Sequence, residues 1–180
     1  MEEKELLLLI EKDIEKGFSI LVKQYSKPVY WHIRKILLNH DDSDDVTQNV
    51  FIKIFQNLKS FKGDSSLKTW IYRIATNESI NFLNSAAKKK NVNSEELVAQ
   101  LSSNLEDDNY FTGDDIQLKL QLAVAKLPEK QRIVFNMKYF DDMKYEEISE
   151  ILETSVGALK ASYHHATKKI EEYLLKNVEK

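Results

Sequence analysis

The sequence predicts an all-α protein made of two small helical domains joined by a flexible linker, the C-terminal one containing a helix-turn-helix. Three observations lead there. Turn formers are scarce, with four glycines and two prolines in 180 residues. Leucine, lysine, glutamate and isoleucine dominate the composition, a helix-rich mixture. Apolar residues recur at steps of three and four in two blocks, with a polar stretch between them. A hydrophobic content of 42% is enough to bury a core in one large domain or two small ones.

In the first block, Phe18, Leu21, Val22 and Tyr25 suit one helix, and Val29, Ile33, Ile36 and Leu37 suit a second that starts at Pro28. Asn39-His40-Asp41-Asp42-Ser43 then interrupts the pattern. Val46, Val50, Ile54, Leu58 and Phe61 follow on one helical face and must pack inward. The opposite stripe carries Asp45, Gln48, Asn49, Ile52 and Gln56, a mixture that suits docking of another protein and equally an ordinary wet surface. Phe61-Lys62-Gly63-Asp64-Ser65-Ser66 reads as a turn, where Gly63 permits a backbone that a Cβ would resist and Asp64, Ser65 or Ser66 can cap the next helix. Leu67, Ile71, Ile74, Ala75, Glu78 and Phe82 mark the expected core side of that helix. Trp70, Arg73, Asn77, Asn81, Asn84 and Lys88 mark another side, and a flat ring, a guanidinium and a ladder of amides are what stacking on a base and bonding to its edge require. The same groups can decorate a plain solvated helix.

Periodicity fades from Asn91 onward, and residues 91–115 are expected to form an acidic, flexible linker between domains at 1–90 and 116–180. The second block then begins. Leu120, Leu122, Val124, Leu127, Ile133, Val134, Met137 and Phe140 mark two helices around Pro128. Ile148, Ile151 and Leu152 give the inner face of a short helix, Glu153 and Thr154 a tight turn, and Ser155 a cap for a helix packed through Val156, Leu159, Tyr163, Ala166 and Ile170. Two helices across so short a turn form a helix-turn-helix. The outer face of the second, with Ser155, Gly157, Ala158, Lys160, Ala161, His164, His165 and Lys168, offers small residues for close backbone approach to DNA and cations for phosphates. An ordinary helical hairpin is the competing reading.

Charge follows the same division. The net charge of −3 conceals a segment 59–90 with seven basic and two acidic residues, then a segment 91–117 with seven acids and no lysine or arginine. No cysteine is present, which removes disulfide scaffolds, thiolate metal sites and cysteine nucleophiles. No glycine-rich phosphate loop or zinc-spaced His-Glu set occurs, and the Asp41-Asp42, Asp44-Asp45 run lacks the spaced ligands of a calcium loop and suits a helix start. The expectation is a chain that is not an enzyme and holds no metal or cofactor. The longest apolar run, Leu6 to Ile10, is too short to span a membrane, and Met1-Glu2-Glu3-Lys4-Glu5 lacks a signal peptide's positive region, so a cytoplasmic protein without membrane insertion is expected.

Asp44-Asp45-Val46-Thr47-Gln48-Asn49-Val50-Phe51, the Phe61 to Ser65 turn and Trp70-Ile71-Tyr72-Arg73-Ile74-Ala75-Thr76-Asn77 resemble region 2 of extracytoplasmic-function sigma factors of bacterial RNA polymerase, in the sigma-70 family. Leu127 to Arg132, Tyr145 to Ile148 and Ser155 to Lys160 are similar to their region 4. The resemblance implies that Asp45, Gln48, Asn49 and Ile52 dock on the β′ clamp of core polymerase, and that Lys62, Gly63, Asp64, Ser65, Trp70, Arg73, Asn77 and Asn81 open the minus-10 element and hold a flipped base. It also implies that the helix after Ser155 reads the minus-35 element, with the β flap as a further polymerase contact, and that an anti-sigma factor silences the chain. The family usually has glutamate at the place of Asn49, so one charge-assisted contact to the clamp is expected to be missing, and it often has threonine at Ala158 and arginine at Ser162 and His165, so weaker phosphate anchoring at the minus-35 element is expected. A helix-turn-helix regulator independent of polymerase is the alternative function.

Overall fold

The computed structural model describes residues 1–105 and 115–178, and within them the regular structure is helical. The helices are α1 (Glu3–Lys12), α2 (Ile14–Leu37), α3 (His40–Asn57), α4 (Leu67–Lys89), α5 (Ser94–Ser102), α6 (Asp115–Ala125), α7 (Glu129–Phe135), α8 (Tyr145–Leu152) and α9 (Val156–Val178). Helices α1 to α4 pack around Leu6, Leu21, Ile33, Val50, Ile54, Leu67 and Ile71, and α6 to α9 around Val124, Leu127, Phe135, Ala166 and Ile170.

Two local expectations change. The pair of helices expected on either side of Pro28 is one continuous helix, α2. Proline removes a single bond, the one to the carbonyl of Gln24, and both residues lie on the exposed side where water satisfies it, while Leu21, Val29, Ile33 and Ile36 remain on one buried face. The interruption at Asn39 to Ser43 is the start of α3, because the Asn39 side chain accepts a hydrogen bond from Asp42 N at 2.8 Å and Asp41 and Asp42 occupy the positive first turn.

The expected flexible linker is also partly ordered. Residues 94–102 form α5, capped reciprocally: Glu96 N donates to Asn93 Oδ1 at 2.8 Å and Asn93 N to the Glu96 carboxylate at 3.4 Å. Leu97, Val98 and Leu105 are buried against the rest of the molecule. A helix this short shows the core only a few apolar positions, so its periodicity is faint in the sequence. Residues 106–114, with Glu106, Asp107, Asp108 and Asp114, lie outside the described residues.

The two helical units are docked on each other. One apolar cluster runs from Leu6 through Ile71 and Leu97 to Ile148, Ile151 and Leu159. Polar contacts cross the same boundary. The Asp141 carboxylate, just past the π-helical turn Asn136–Phe140 that continues α7, accepts from His32 Nδ1 at 2.6 Å and from Lys35 Nζ at 2.7 Å, both on α2. Arg132 of α7, 1% exposed, donates from NH1 to Ile36 O at 2.9 Å, in the last turn of α2, where the carbonyls lack intrahelical partners. Burial pushes the Arg132 guanidinium down to about 10, against the opposing pull of Glu129 and Glu95. For Asp141 burial pushes upward, but His32 and Lys35 outweigh it and hold the carboxyl below its ordinary value.

Candidate nucleic-acid and polymerase interfaces

The opening of α4 is fixed by its preceding turn. After α3 a 3₁₀ turn, Leu58–Ser60, closes with the Ser60 hydroxyl donating to Asn57 O at 2.8 Å. Gly63 then takes φ +75°, a left-handed value that side chains resist. Ser66 caps α4 by accepting from Thr69 N at 3.0 Å, and Glu3 of α1 accepts from Leu67 N at 3.0 Å, tying the turn to the body of the domain.

Beside this turn lies a cleft of about 280 Å³, lined by Lys53, Asn57, Ser60, Trp70, Ile74, Asn77 and Glu78. The Trp70 indole is half-buried, with its ring centroid 5.2 Å from that of Phe61, so its orientation is fixed by packing. A planar base has a ring to stack on and the amides of Asn57 and Asn77 to bond its edge, with the Lys53–Glu78 pair (2.5 Å) at the side. Trp70 and Asn77, expected on one face of α4, both line this cleft, together with Lys53, Asn57 and Ser60, which the spacing does not single out. They recur at steps of four and three on and just past α3, a second outward stripe that could have been read beside the first. Lys62, Gly63 and Asp64 are exposed on the turn, Ser65 is half-buried, and Asn81, Asn84 and Lys88 are exposed further along α4.

Arg73 behaves differently. It is half-buried, and its NH2 group donates to Glu150 O of α8 at 2.9 Å, so the guanidinium faces the C-terminal unit rather than the cleft. The core side of α4 is also rotated from the expected one: Leu67, Ile71, Tyr72, Ala75, Thr76, Ser79 and Leu83 are buried, whereas Ile74, Glu78 and Phe82 are half-buried. Tyr72 and Thr76 turn inward against His32 of α2, whose ring centroid lies 4.9 Å from that of Tyr72 and whose Nε2 stands 2.8 Å from the Thr76 hydroxyl, a tertiary effect invisible to periodicity.

On α3, Asp45, Gln48, Asn49 and Ile52 are all exposed. Ile52 (54% exposed) and Phe55 (42%) form a small apolar patch at the end of this stripe, Phe55 being held from below by Phe18 with ring centroids 4.9 Å apart. Phe55 was not singled out by the spacing, because it falls between the core stripe and the polar one. At the acidic end, burial pushes the Asp42 carboxyl up, Asp45 and Asp41 add to this by repulsion, and Lys90 opposes it.

In the C-terminal unit α8 and α9 enclose a tight turn in which Glu153 has φ +51°. Lys144 N donates to the Glu147 carboxylate at 2.8 Å at the start of α8, and Ser155 Oγ accepts from Ala158 N at 3.2 Å at the start of α9. Leu159, Ala166 and Ile170 are buried. Ser155, Gly157, Ala158, Lys160, Ala161, His164, His165 and Lys168 are all exposed along α9, a continuous face with small residues at its N-terminal end. The His164 and His165 rings sit side by side, centroids 5.9 Å apart. Among the described residues no group of three His, Asp or Glu side chains is placed to hold a metal ion, and no helix is long and apolar enough to cross a membrane.

The two units correspond to two known sequence families. Residues 21–89 match Sigma-70 region 2 and residues 117–170 match Sigma-70, region 4, together about two thirds of the chain. Among characterised proteins, the RNA polymerase sigma-H factor of Pseudomonas aeruginosa is 25% identical over 183 residues, covering 96% of this chain and 94% of its own. The ECF RNA polymerase sigma-E factor of Escherichia coli K12 is 28% identical over 172 residues, covering 90% and 88%. Among solved structures, the sigma factor RpoE in complex with the anti-sigma factor NepR from Bartonella quintana superposes with a TM-score of 0.71 at 17% identity over 90% of this chain and 99% of its own. CnrH in complex with the cytosolic domain of CnrY gives 0.71 at 21% over 97% and 98%. With a capped helix-turn-helix behind a cleft-bearing helical unit, and both family regions matched in order, the chain belongs to the sigma-70 family of RNA polymerase sigma factors, in the two-region form of its extracytoplasmic-function relatives.

Proposed function

We propose that this sigma factor, which directs core RNA polymerase to promoters, divides the work among three faces. Asp45, Gln48, Asn49 and Ile52 of α3 dock on the polymerase clamp, and Phe55 extends that contact with an apolar edge. The Gly63 turn and the cleft behind it receive an unpaired minus-10 base: Trp70 stacks on it, Asn57 and Asn77 bond its edge, and Lys53 in the cleft and Lys62 on the turn neutralise phosphates. Extruding a base costs a few kcal/mol, which stacking and phosphate contacts offset. Helix α9 enters the major groove of the minus-35 element, with Gly157, Ala158 and Ala161 nearest the bases and Lys160 and Lys168 toward the backbone. The chain acts in the cytoplasm, carries out no catalysis of its own, and has an anti-sigma factor as a further partner.

The observation that carries this reading is the cleft itself: an indole fixed in orientation and two amides converge on a space open to solvent beside a glycine turn. The test is reconstitution. Core polymerase with this chain should form heparin-resistant, permanganate-reactive complexes on promoters selected in vitro, while the chain alone should hold duplex DNA poorly. Retention of duplex DNA by the free chain, with no response to polymerase, would replace this reading with that of a polymerase-independent regulator.

A further inference from the structure

A carboxylate repels DNA phosphates, and the cleft assigned to the unpaired base contains one. Of the two acidic residues in the basic segment 59–90, Asp64 sits on the open turn, whereas Glu78 lines the cleft beside Trp70 and Asn77. Periodicity places Glu78 on the core side of α4, yet its side chain is 21% exposed and reaches Lys53 of α3, Oε1 accepting from Nζ at 2.5 Å. Toward a phosphate this group costs affinity even when paired. Toward a base it is a charged acceptor, the stronger kind of hydrogen-bonding partner.

The hydrogen bonds already made inside the cleft decide what remains for a ligand. Lys53 uses one of its three N–H groups on Glu78 and keeps two for the strand. Asn57 donates from Nδ2 to Lys53 O at 2.8 Å, and Ser60 gives its hydroxyl proton to Asn57 O at 2.8 Å, which leaves Asn57 Oδ1 and Ser60 Oγ as acceptors. Among the described residues Glu78 Oε2 has no partner, and the Asn77 amide, able to serve in either sense, is also unengaged. The wall is therefore rich in acceptors, one of them charged.

A base edge complementary to such a wall carries hydrogens. Adenine, cytosine and guanine each bear an exocyclic amino group, and a carboxylate accepting from the cytosine amino group is a recurrent pairing in base recognition. Thymine has none: a carbonyl oxygen stands on either side of its single ring N–H, and either one placed against Glu78 Oε2 sets oxygen against oxygen. The plane of a bound ring is set by Trp70, itself fixed against Phe61 with centroids 5.2 Å apart, so thymine escapes that repulsion only by giving up its stack. A site built to bond an N–H group rejects a ligand lacking it, because the polar atoms of the site are then left unpaired.

We propose that Glu78, positioned by Lys53, is the specificity determinant of the cleft, admitting a base with an exocyclic amino group and refusing thymine. This rests on the reading of the cleft as the receiver of an unpaired minus-10 base. Thymine and 5-methylcytosine share one shape and differ only in the groups at issue, so they supply the test. Holoenzyme containing the full chain is bound to forked promoter DNA in which each unpaired non-template minus-10 base is replaced in turn by one or the other, and retention is compared. At one position the parent should hold 5-methylcytosine about tenfold better than thymine. Glu78→Gln, whose amide offers donor or acceptor alike, should bring that ratio to within about twofold. Lys53→Gln should weaken both bases by a similar factor and keep the preference, since the carboxylate remains. A parent without preference at any position overturns the proposal, as does Glu78→Gln weakening both bases equally, which would make the ion pair only a tie between α3 and α4. Should Glu78→Gln lose its helical circular dichroism, Glu78→Asp, which keeps the charge but withdraws it by one methylene, decides by the same ratio: a fall of about threefold supports the assignment and an unchanged ratio overturns it. Trp70→Ala separates this inference from the reading beneath it. Undiminished retention at every position would mean that the cleft receives no base, and both would fall; diminished retention beside a preference that survives Glu78→Gln would remove the role of Glu78 alone.

Discussion

Regions 2 and 4 of this chain meet DNA with opposite resources. Region 2 builds a concavity: long helices fixed by a deep core hold an indole and several amides around a cleft beside a glycine turn. Region 4 offers a convex helix whose face is mostly small side chains and two histidines, with Lys160 and Lys168 as its fixed charges among the eight residues assigned to DNA. A pocket discriminates through shape and stacking, which salt barely touches, whereas a helix laid in a groove depends on phosphate neutralisation and on how closely its backbone can approach. The difference implies that strand opening is the robust function of this chain and minus-35 binding the adjustable one.

The largest effect that would sharpen this contrast is expected at Trp70. Stacking is worth about 1–3 kcal/mol per base, so Trp70→Ala should lower the yield of permanganate-reactive complexes by roughly ten- to hundredfold, with the loss nearly the same at low and moderate salt. Loss of the Phe61 contact should cost about 1 kcal/mol of fold stability, visible as a small drop in the melting temperature. A salt-dependent loss would mean that region 2 also works chiefly by charge, and the contrast between the regions would fail.

Lys160 should give a smaller effect of a different kind. It is exposed, and its ammonium stands 5.8 Å from the Tyr145 ring, a loose contact. Lys160→Ala should leave the melting temperature unchanged and weaken holoenzyme binding to promoters with a minus-35 element by a similar factor for every sequence, lowering the salt slope by about 1. His165→Arg should do the reverse, adding a permanent charge to the same face. Loss of sequence preference in Lys160→Ala, without a change of slope, would place this lysine on a base edge instead.

Much of this was legible because it is local. Steps of three and four placed the inner faces of α3 and α9, Ser155 announced its helix as a cap, Gly63 announced its turn, and of the three caps open at Asp64, Ser65 and Ser66 the structure uses Ser66. What escaped depends on packing between distant segments. Pro28 reads as a helix start until the exposure of Gln24 is known, and α5 reads as linker until Leu97 and Val98 find a surface. Arg73 and Asn77 look equivalent on a helical wheel, yet one is captured by α8 and the other faces the cleft. Lys53 and Asn57 join the site through the angle between α3 and α4, which no single helix encodes.

The two glycines assigned to DNA contact give the smallest effects and the finest test of the contrast. At Gly63 an added Cβ meets nothing within 4 Å, but the backbone stands at φ +75°, so Gly63→Ala should destabilise region 2 by about 1 kcal/mol through strain alone. At Gly157 an added Cβ also meets nothing within 4 Å, and no left-handed backbone is required, so Gly157→Ala should leave stability unchanged or raise it by up to about 1 kcal/mol through reduced freedom of the unfolded chain. Nothing inside the protein therefore explains a glycine at 157. If α9 presses its first turn into the groove, the added methyl should weaken minus-35 binding severalfold while the fold grows no weaker, measured by promoter retention beside a thermal melt. Were binding unchanged, the backbone of α9 would stand away from DNA, and region 4 would read its element through side chains reaching across a gap, much as region 2 reads an extruded base.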